Sequence, residues 1–308
     1  MAKVLVLRSC GVDLTSFNEF QWPASGPVEA PDWDPTPFCG HGLHGLLWGE
    51  GDHGHLVSVF PQKYLVVEVE ESEVVAIPRW QQNRMVKFPR GNVVYCGSRS
   101  GAAQFIQQAR PEAQVAGLVQ VGEEAKSFNL GLSVALEGSA ESGFDGVAVA
   151  LRGSATVKTG MALAGHNCQA EAGFQGIAVS GEHGKSLTGA EGLSVSSYQG
   201  HAASGTSGVA VGGSGAQTSA GSWGLAVTSG VRGLAKVGYG GFAVVGPYGW
   251  ASAGMHGTIL IGATEQGSPP VMYRMGRIGE NGLEPDTYYS LDHENNFISQ
   301  GSSLPTPE

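Results

Sequence analysis

Charge is scarce in this chain. Asp, Glu, Lys and Arg make up 14% of its 308 residues, against about 25% in an average globular protein. The acids outnumber the bases, leaving a formal net charge of −10, which argues against a nucleic-acid backbone as the main partner. Cysteine is sparse as well: four residues, at 10, 39, 96 and 168, with no CxxC pair. That is the usage of a reduced intracellular protein rather than of a disulfide framework. No apolar run approaches the ~18–20 residues that a membrane-spanning helix needs. The opening stretch Met1–Arg8 is too short an apolar run for a signal peptide and reads as a first strand. The expected setting is cytoplasmic, or that of a phage-encoded protein, with no membrane insertion. Proline nearly vanishes from residues 131–257, where Pro247 stands alone.

Glycine fills the space the other residues leave. There are 49 glycines, 30 of them between residues 131 and 257. They follow no three-residue period, which excludes collagen. Hydrophobic residues at 41% suffice for a buried core. The chain divides by composition into residues 1–120, a middle part at 121–257, and residues 258–308.

The middle part is an internal repeat. A block of Gly, apolar, small, apolar recurs as Gly131-Leu-Ser-Val134, Gly146-Val-Ala-Val149, Gly160-Met-Ala-Leu163, Gly176-Ile-Ala-Val179 and Gly192-Leu-Ser-Val195. It continues as Gly208-Val-Ala-Val211, Gly224-Leu-Ala-Val227, Gly241-Phe-Ala-Val244 and Gly257-Thr-Ile-Leu260, at spacings of 14 to 17 residues. A half-repeat marked by Gly173, Gly189, Gly205, Gly221, Gly238 and Gly254 lies between. Sixteen residues are too few for a helix-pair repeat, and period-two alternation means strand. The expected fold is therefore mainly β: a narrow parallel β-solenoid with coils of about 16 residues and two short strands per coil. Stacked at about 4.8 Å, such rungs make a rod of roughly 40 Å. Large residues at positions two and four are expected to fill the core, and glycines to supply the φ > 0 corners and to permit close backbone approach. Position one and three residues, Gly208, Ala210, Gly224 and Ala226, then form a bare outer face. From Gly192 to Val231 the sequence has no Asp, Glu, Lys or Arg. A face so free of charge suggests burial against a second copy, so a homo-oligomer is expected, a trimer first and a dimer second. An ice-binding face would need a regular outward Thr ladder, and the scarcity of Thr at these positions counts against one.

The flanks read as an N-terminal α/β head and a C-terminal β cap. Strands are expected at Lys3–Arg8, 64–69, 74–77 and 91–95, a helix at 101–110 with Ser100 as its N-cap, and two or three strands over 270–298. Asn281-Gly282 marks a turn.

Several stretches resemble a family of phage and bacterial proteins with no assigned activity. They are Cys39-Gly-His-Gly-Leu-His44, Tyr64–Glu70, Val86–Tyr95 and the closing Gly279–Tyr289. That resemblance implies a short α/β domain, a variable number of Gly/Ala-rich repeats and a β-rich cap. The repeats are also similar to those of trimeric autotransporter heads, where small-residue strands pack between chains. A weaker similarity of the N-terminal part is to ADP-ribosyltransferase-like folds. It implies a site built from Arg8, the Gly40–Gly49 segment with its histidines His41 and His44, and Glu68 or Glu70, though no Ser-Thr-Ser follows, no paired Tyr appears in the middle and no Gln/Glu-x-Glu stands before the last strand.

The densest polar cluster is Cys39, His41, His44, His53 and His55. The pattern C-x-H-x-x-H…H-x-H reaches round one zinc ion, which takes four Cys or His ligands. It equally describes a Gly-rich loop whose histidines cap turns, or the polar wall of an active-site pocket. The sequence thus supports a non-enzymatic scaffold that self-associates and presents its head to a protein partner. The alternative is a modifying enzyme with its site in residues 1–120.

Overall fold

The computed structural model describes residues 2–51, 56, 62–78, 85–115, 117–263 and 272–300. The chain separates into two compact units, Met1–Val119 with Ser127–Gly131, and Gln120–Lys126 with Leu132–Glu308. No helix among the described residues is long and apolar enough to cross a membrane.

The first unit is an antiparallel sheet with one helix. Its strands are β1 (Lys3–Gly11), β2 (Gly26–Glu29), β3 (Leu43–Leu47), β4 (Gln62–Glu70), β5 (Val75–Ala76), β6 (Met85–Phe88) and β7 (Arg90–Gly97). They lie in the order β2-β7-β4-β1-β3-β6-β5. The central strands β1 and β4 are buried on both faces, which explains their near-continuous Val and Leu. The helix α1 (Arg99–Ala109) lays Ala102, Ala103 and Ile106 against Leu5, Leu7, Leu46 and Val66. Val4, Val6, Cys10, Leu65 and Val67 face the other way and pack with Trp22, Val28 and Phe88. The N-cap is Ser98, not Ser100: the Ser98 hydroxyl accepts from the Gly101 N–H at 3.2 Å.

The second unit is a parallel β-solenoid of about nine turns, its coils about 16 residues apart. Its first two long strands, Leu132–Ser142 and Gly146–Val157, run on through one corner. From Gly176 each coil has two four-residue strands, as in Ile177–Ser180 with Lys185–Thr188, then Leu193–Ser196 with His201–Ser204. Register advances by one repeat per rung: Ile177 pairs with Leu193, Leu193 with Val209, and Val209 with Leu225. The corners are four-residue turns such as Gly181-Glu-His-Gly184, closed by the Gly184 N–H on the Gly181 carbonyl at 3.2 Å.

These tight corners invert the expected facing. Two packed sheets ordinarily stand about 10 Å apart, with room for Val and Leu between them. With four-residue turns the middle rungs are narrow, and small side chains fill the inside there. The interior column on one sheet is Ala148, Ala162, Ala178, Ser194, Ala210, Ala226 and Ala243, all fully buried. The facing column is Ala155, Ala170, Ser186, Ala202, Thr218 and Ala235, buried as well. The large residues Val209, Val211, Leu225 and Val227 point outward and are half-buried. Ala210 and Ala226 are therefore core residues rather than an outer face. Gly208 and Gly224 are spacers: a Cβ on Gly208 would lie 2.8 Å from the Ser204 Cβ and 2.9 Å from the Gly192 oxygen, and one on Gly224 would meet Ala220 and Gly208 in the same way.

The corner conformation is also reassigned. Left-handed φ at the third turn position falls on Gln175 (52°), His183 (55°), Glu191 (56°), Gln199 (50°), Ser207 (56°) and Trp223 (60°), at the eight-residue half-period or twice it. Most repeat glycines instead stand where the backbone of the next rung comes too close for a Cβ. Toward the C-terminal end the corner over residues 229–233 gains a residue, and Val237, Val245, Ile259 and Ile261 enter the interior. There Met272–Arg277 pairs antiparallel with Thr258–Ala263 and the hairpin of Tyr289–Leu291 with Phe297–Ser299 follows. The antiparallel strands end the parallel stack and cover its edge.

Facing gives a direct test. Ala210→Arg should abolish the cooperative melt of the solenoid, since an unpaired buried charge costs several kcal/mol, on the order of 3–5. Val211→Asp, one residue on and pointing outward, should shift stability by about 1 kcal/mol or less. Circular-dichroism melts that rank the two variants the other way would overturn the facing.

Candidate functional site

In the N-terminal unit the histidine loop is pinned by ordinary turn contacts. The Gly40 N–H donates to Nε2 of His44 at 3.2 Å, and the Gly40 carbonyl accepts from Nζ of Lys87 at 3.1 Å. Lys87, a residue sequence reasoning passed over, is 1% exposed and its ammonium lies 5.6 Å from the Trp33 ring centre. Its signal was an isolated Lys between Val86 and Phe88, on a strand whose neighbours are buried. His41 is exposed at φ 51°, with Nδ1 3.4 Å from Asp32 Oδ2. Asp32 Oδ1 accepts from the Gly42 N–H at 3.1 Å. Cys39 is exposed. His53 and His55 lie outside the described residues. Cys39, His41 and His44 do not gather: among the described residues the cluster within ligating distance is His166, Glu182 and His183.

Arg8 and Glu70 are not brought together either. In the β1–β4 ladder Arg8 stands opposite Leu65, whereas Glu70 stands opposite Lys3. Five residues of strand separate them, about 17 Å. Alternation also places Arg8 on the face of Val4, Val6 and Cys10, and Glu70 on the opposite face with Leu5 and Val66. Around Glu70 the charges are mostly spoken for: Lys3 meets Glu68 at 2.6 Å, and Arg90 meets Glu73 at 2.5 Å. Arg8 lies near the His44 loop, while Glu70 stands apart from both, so the transferase-like constellation is not assembled.

Two groups there are strongly displaced from ordinary titration. Burial first, and then the nearby Arg8 guanidinium, pushes the His44 imidazole down to about 4. Burial, and then neighbouring Cys96, pushes the Cys10 thiol up to about 11. His44 is a neutral acceptor at pH 7, and Cys10 a protonated thiol rather than a nucleophile.

The solenoid presents two unlike faces. One carries the columns Leu193, Val209, Leu225 and Val195, Val211, Val227: aliphatic, flat, half-exposed and repeating at the rung spacing. The other carries Gln169, Glu171, Lys185, His201, Gln217 and Lys236. Thr218 and Thr228 face inward, 3% and 2% exposed, so they supply no outward ladder. Aromatic rings step along the corners: Trp223, Tyr239 and His256 follow one another edge to face at 5.3 and 5.4 Å. On the opposite corner His166, His183 and Tyr198 do the same at 5.5 and 5.8 Å.

No family model matches the chain, and no solved structure matches it. An ice nucleation protein of Pseudomonas fluorescens is 33% identical over 174 residues, which cover 54% of this chain and 14% of that protein. The ice nucleation protein InaU of Pantoea ananas is 33% identical over 150 residues, 46% of this chain and 14% of that one. An ice nucleation protein of Xanthomonas campestris pv. translucens is 36% identical over 109 residues, 35% of this chain and 7% of its own length. The chain thus spans no more than 14% of these curated relatives. Wherever it falls, a stretch of 54% of the chain includes the solenoid strand Gly146–Val157. None of the three is named as a transferase or a phage protein.

The displaced groups predict a pH response. An unfolded His titrates near 6.5 and folded His44 at about 4, so between those values the unfolded chain binds the proton. Stability of the first unit is full above about pH 7 and falls as pH drops toward 4, by about 3 kcal/mol at most from this group. His44→Gln keeps an acceptor for Gly40 and removes the titration. Its urea midpoint should change less between pH 7 and 4.5 than the wild type's; an equal change rejects the assignment. At pH 8 about one Cys10 in a thousand is thiolate, so iodoacetamide mapping by mass spectrometry should modify Cys39 well before Cys10.

Proposed function

We propose that this chain is a non-enzymatic repeat protein that nucleates ice, and that it does so as an assembly of copies joined through the aliphatic face of the solenoid. The observation that carries the reading is that face: two straight columns of Val, Leu and Ile on a flat sheet, uncharged from Gly192 to Val231, in a chain whose relatives are named for ice nucleation. Its side chains recur at about 4.8 Å along the axis and about 7 Å along each strand. A contiguous exposed apolar patch of this kind is also a site of association. Two such sheets are flat and self-complementary, so they can pack face to face and bury each other's columns. The critical ice nucleus grows as water approaches its melting point, so lateral assembly enlarges a template that one narrow rod supplies poorly. A trimer is the first expectation for the assembly and a dimer the second. The head is then the presented element, with Phe38, Cys39 and His41 exposed on one loop.

The test joins droplet freezing to light scattering on the purified chain. The wild type should freeze microlitre droplets several degrees above buffer and scatter as more than one chain. Val195→Lys with Val211→Lys should lower both the freezing temperature and the mass while the circular-dichroism spectrum is kept. Droplets that freeze with buffer alone reject the nucleation reading. A single-chain mass at tens of micromolar rejects the assembly.

A further inference from the structure

We propose that one corner of the solenoid is a divalent transition-metal site, suited to Zn2+, made by His166, Glu182 and His183 across two consecutive coils. The ligand-bearing atoms of all three lie within 4.8 Å of one another, and His166 Nδ1 is 3.8 Å from Glu182 Oε2. An ion bound at about 2.0–2.2 Å draws its ligand atoms to about 3.4 Å apart, a closure that side-chain rotation supplies without backbone movement.

The repeat itself builds the site. His166 and Glu182 are 16 residues apart and occupy equivalent corner positions on successive rungs, below and above one strand spacing. The two corners are tied by the Asn167 N–H donating to the Glu182 carbonyl at 2.9 Å. His183 takes the left-handed third position of its turn, φ 55°. Its Nε2 lies 2.9 Å from Oε1 of Gln199, one coil further on. With Nε2 donating to that amide oxygen, Nδ1 is the nitrogen left to bind the ion. Orientation of a ligating imidazole by a second hydrogen bond is the arrangement found around bound metals. Two imidazoles and one carboxylate form a borderline donor set that favours Zn2+ and its neighbours over Ca2+ or Mg2+, which take all-oxygen shells. All three side chains are exposed, leaving the remaining position to solvent. On the next rungs the equivalents of Glu182 are Tyr198 and Ser214, so the donor set belongs to this pair of coils. The inference stands apart from the ice-nucleation reading.

Calorimetric titration of the untagged full chain with Zn2+ tests it. About one equivalent should bind more tightly than about 1 mM. His166→Asn with His183→Asn should lose that equivalent with an unchanged circular-dichroism spectrum, and Glu182→Gln should weaken it at least tenfold. His41→Ala with His44→Ala should retain it. Uptake that survives the His166/His183 substitutions, uptake lost only in the His41/His44 variant, or no uptake in the stated range would overturn the site.

Discussion

The distance between the two sheets of the solenoid governs the rest of that unit. Turns of four residues set it, and it admits Ala, Ser and Gly where most β architectures place Val and Leu. Once the interior is that thin, the large residues of each strand have one place left, the outside. The aliphatic face is thus a by-product of the corner geometry before it is a surface available for any use. Hydrogen bonds between rungs run the length of the stack. Bonds such as Leu193 N–H to the Gly176 carbonyl and Val209 N–H to the Gly192 carbonyl, both 2.9 Å, recur at each step.

A stack of equivalent corners turns sequence separation into spatial adjacency. Residues 16 apart become neighbours one strand spacing away, and residues 17 apart sit across the same corner. The edge-to-face file of His166, His183 and Tyr198 follows from this, as does the juxtaposition of Glu182 with both histidines. In the N-terminal unit the opposite holds. An antiparallel sheet distributes neighbouring polar residues to two faces, so Arg8, His44 and Glu70 take up separate roles: a half-buried cation, a turn acceptor and a strand-end acid.

The repeat length and the two strands per coil were legible in the glycine spacing and the period-two alternation. Facing was not legible from alternation alone, because alternation says that two faces differ and not which one is inside. The column of Ala and Ser at position three held the missing information: residues that small, recurring from rung to rung, mark the inside of a narrow interior. Glycine usage was legible in part: Gln175, His183 and Trp223 take the positive φ expected of glycine, while Gly208 and Gly224 answer the expected need for close backbone approach. The His41 and His44 loop was legible as a turn but not as to its partners. Asp32 and Lys87 come from distant segments, and only the sheet order brings them to it.

An interior of methyls and hydroxyls has a thermal consequence. The heat-capacity change of unfolding scales with the apolar area exposed, and each coil here hides mostly Ala and Ser. Its value per residue falls below the roughly 12–15 cal/mol/K of ordinary domains, and the stability curve flattens. The force that fades on cooling, apolar burial, is a small part of what holds the rungs together. A rod of this construction keeps its shape with little change down to the freezing point of its solvent.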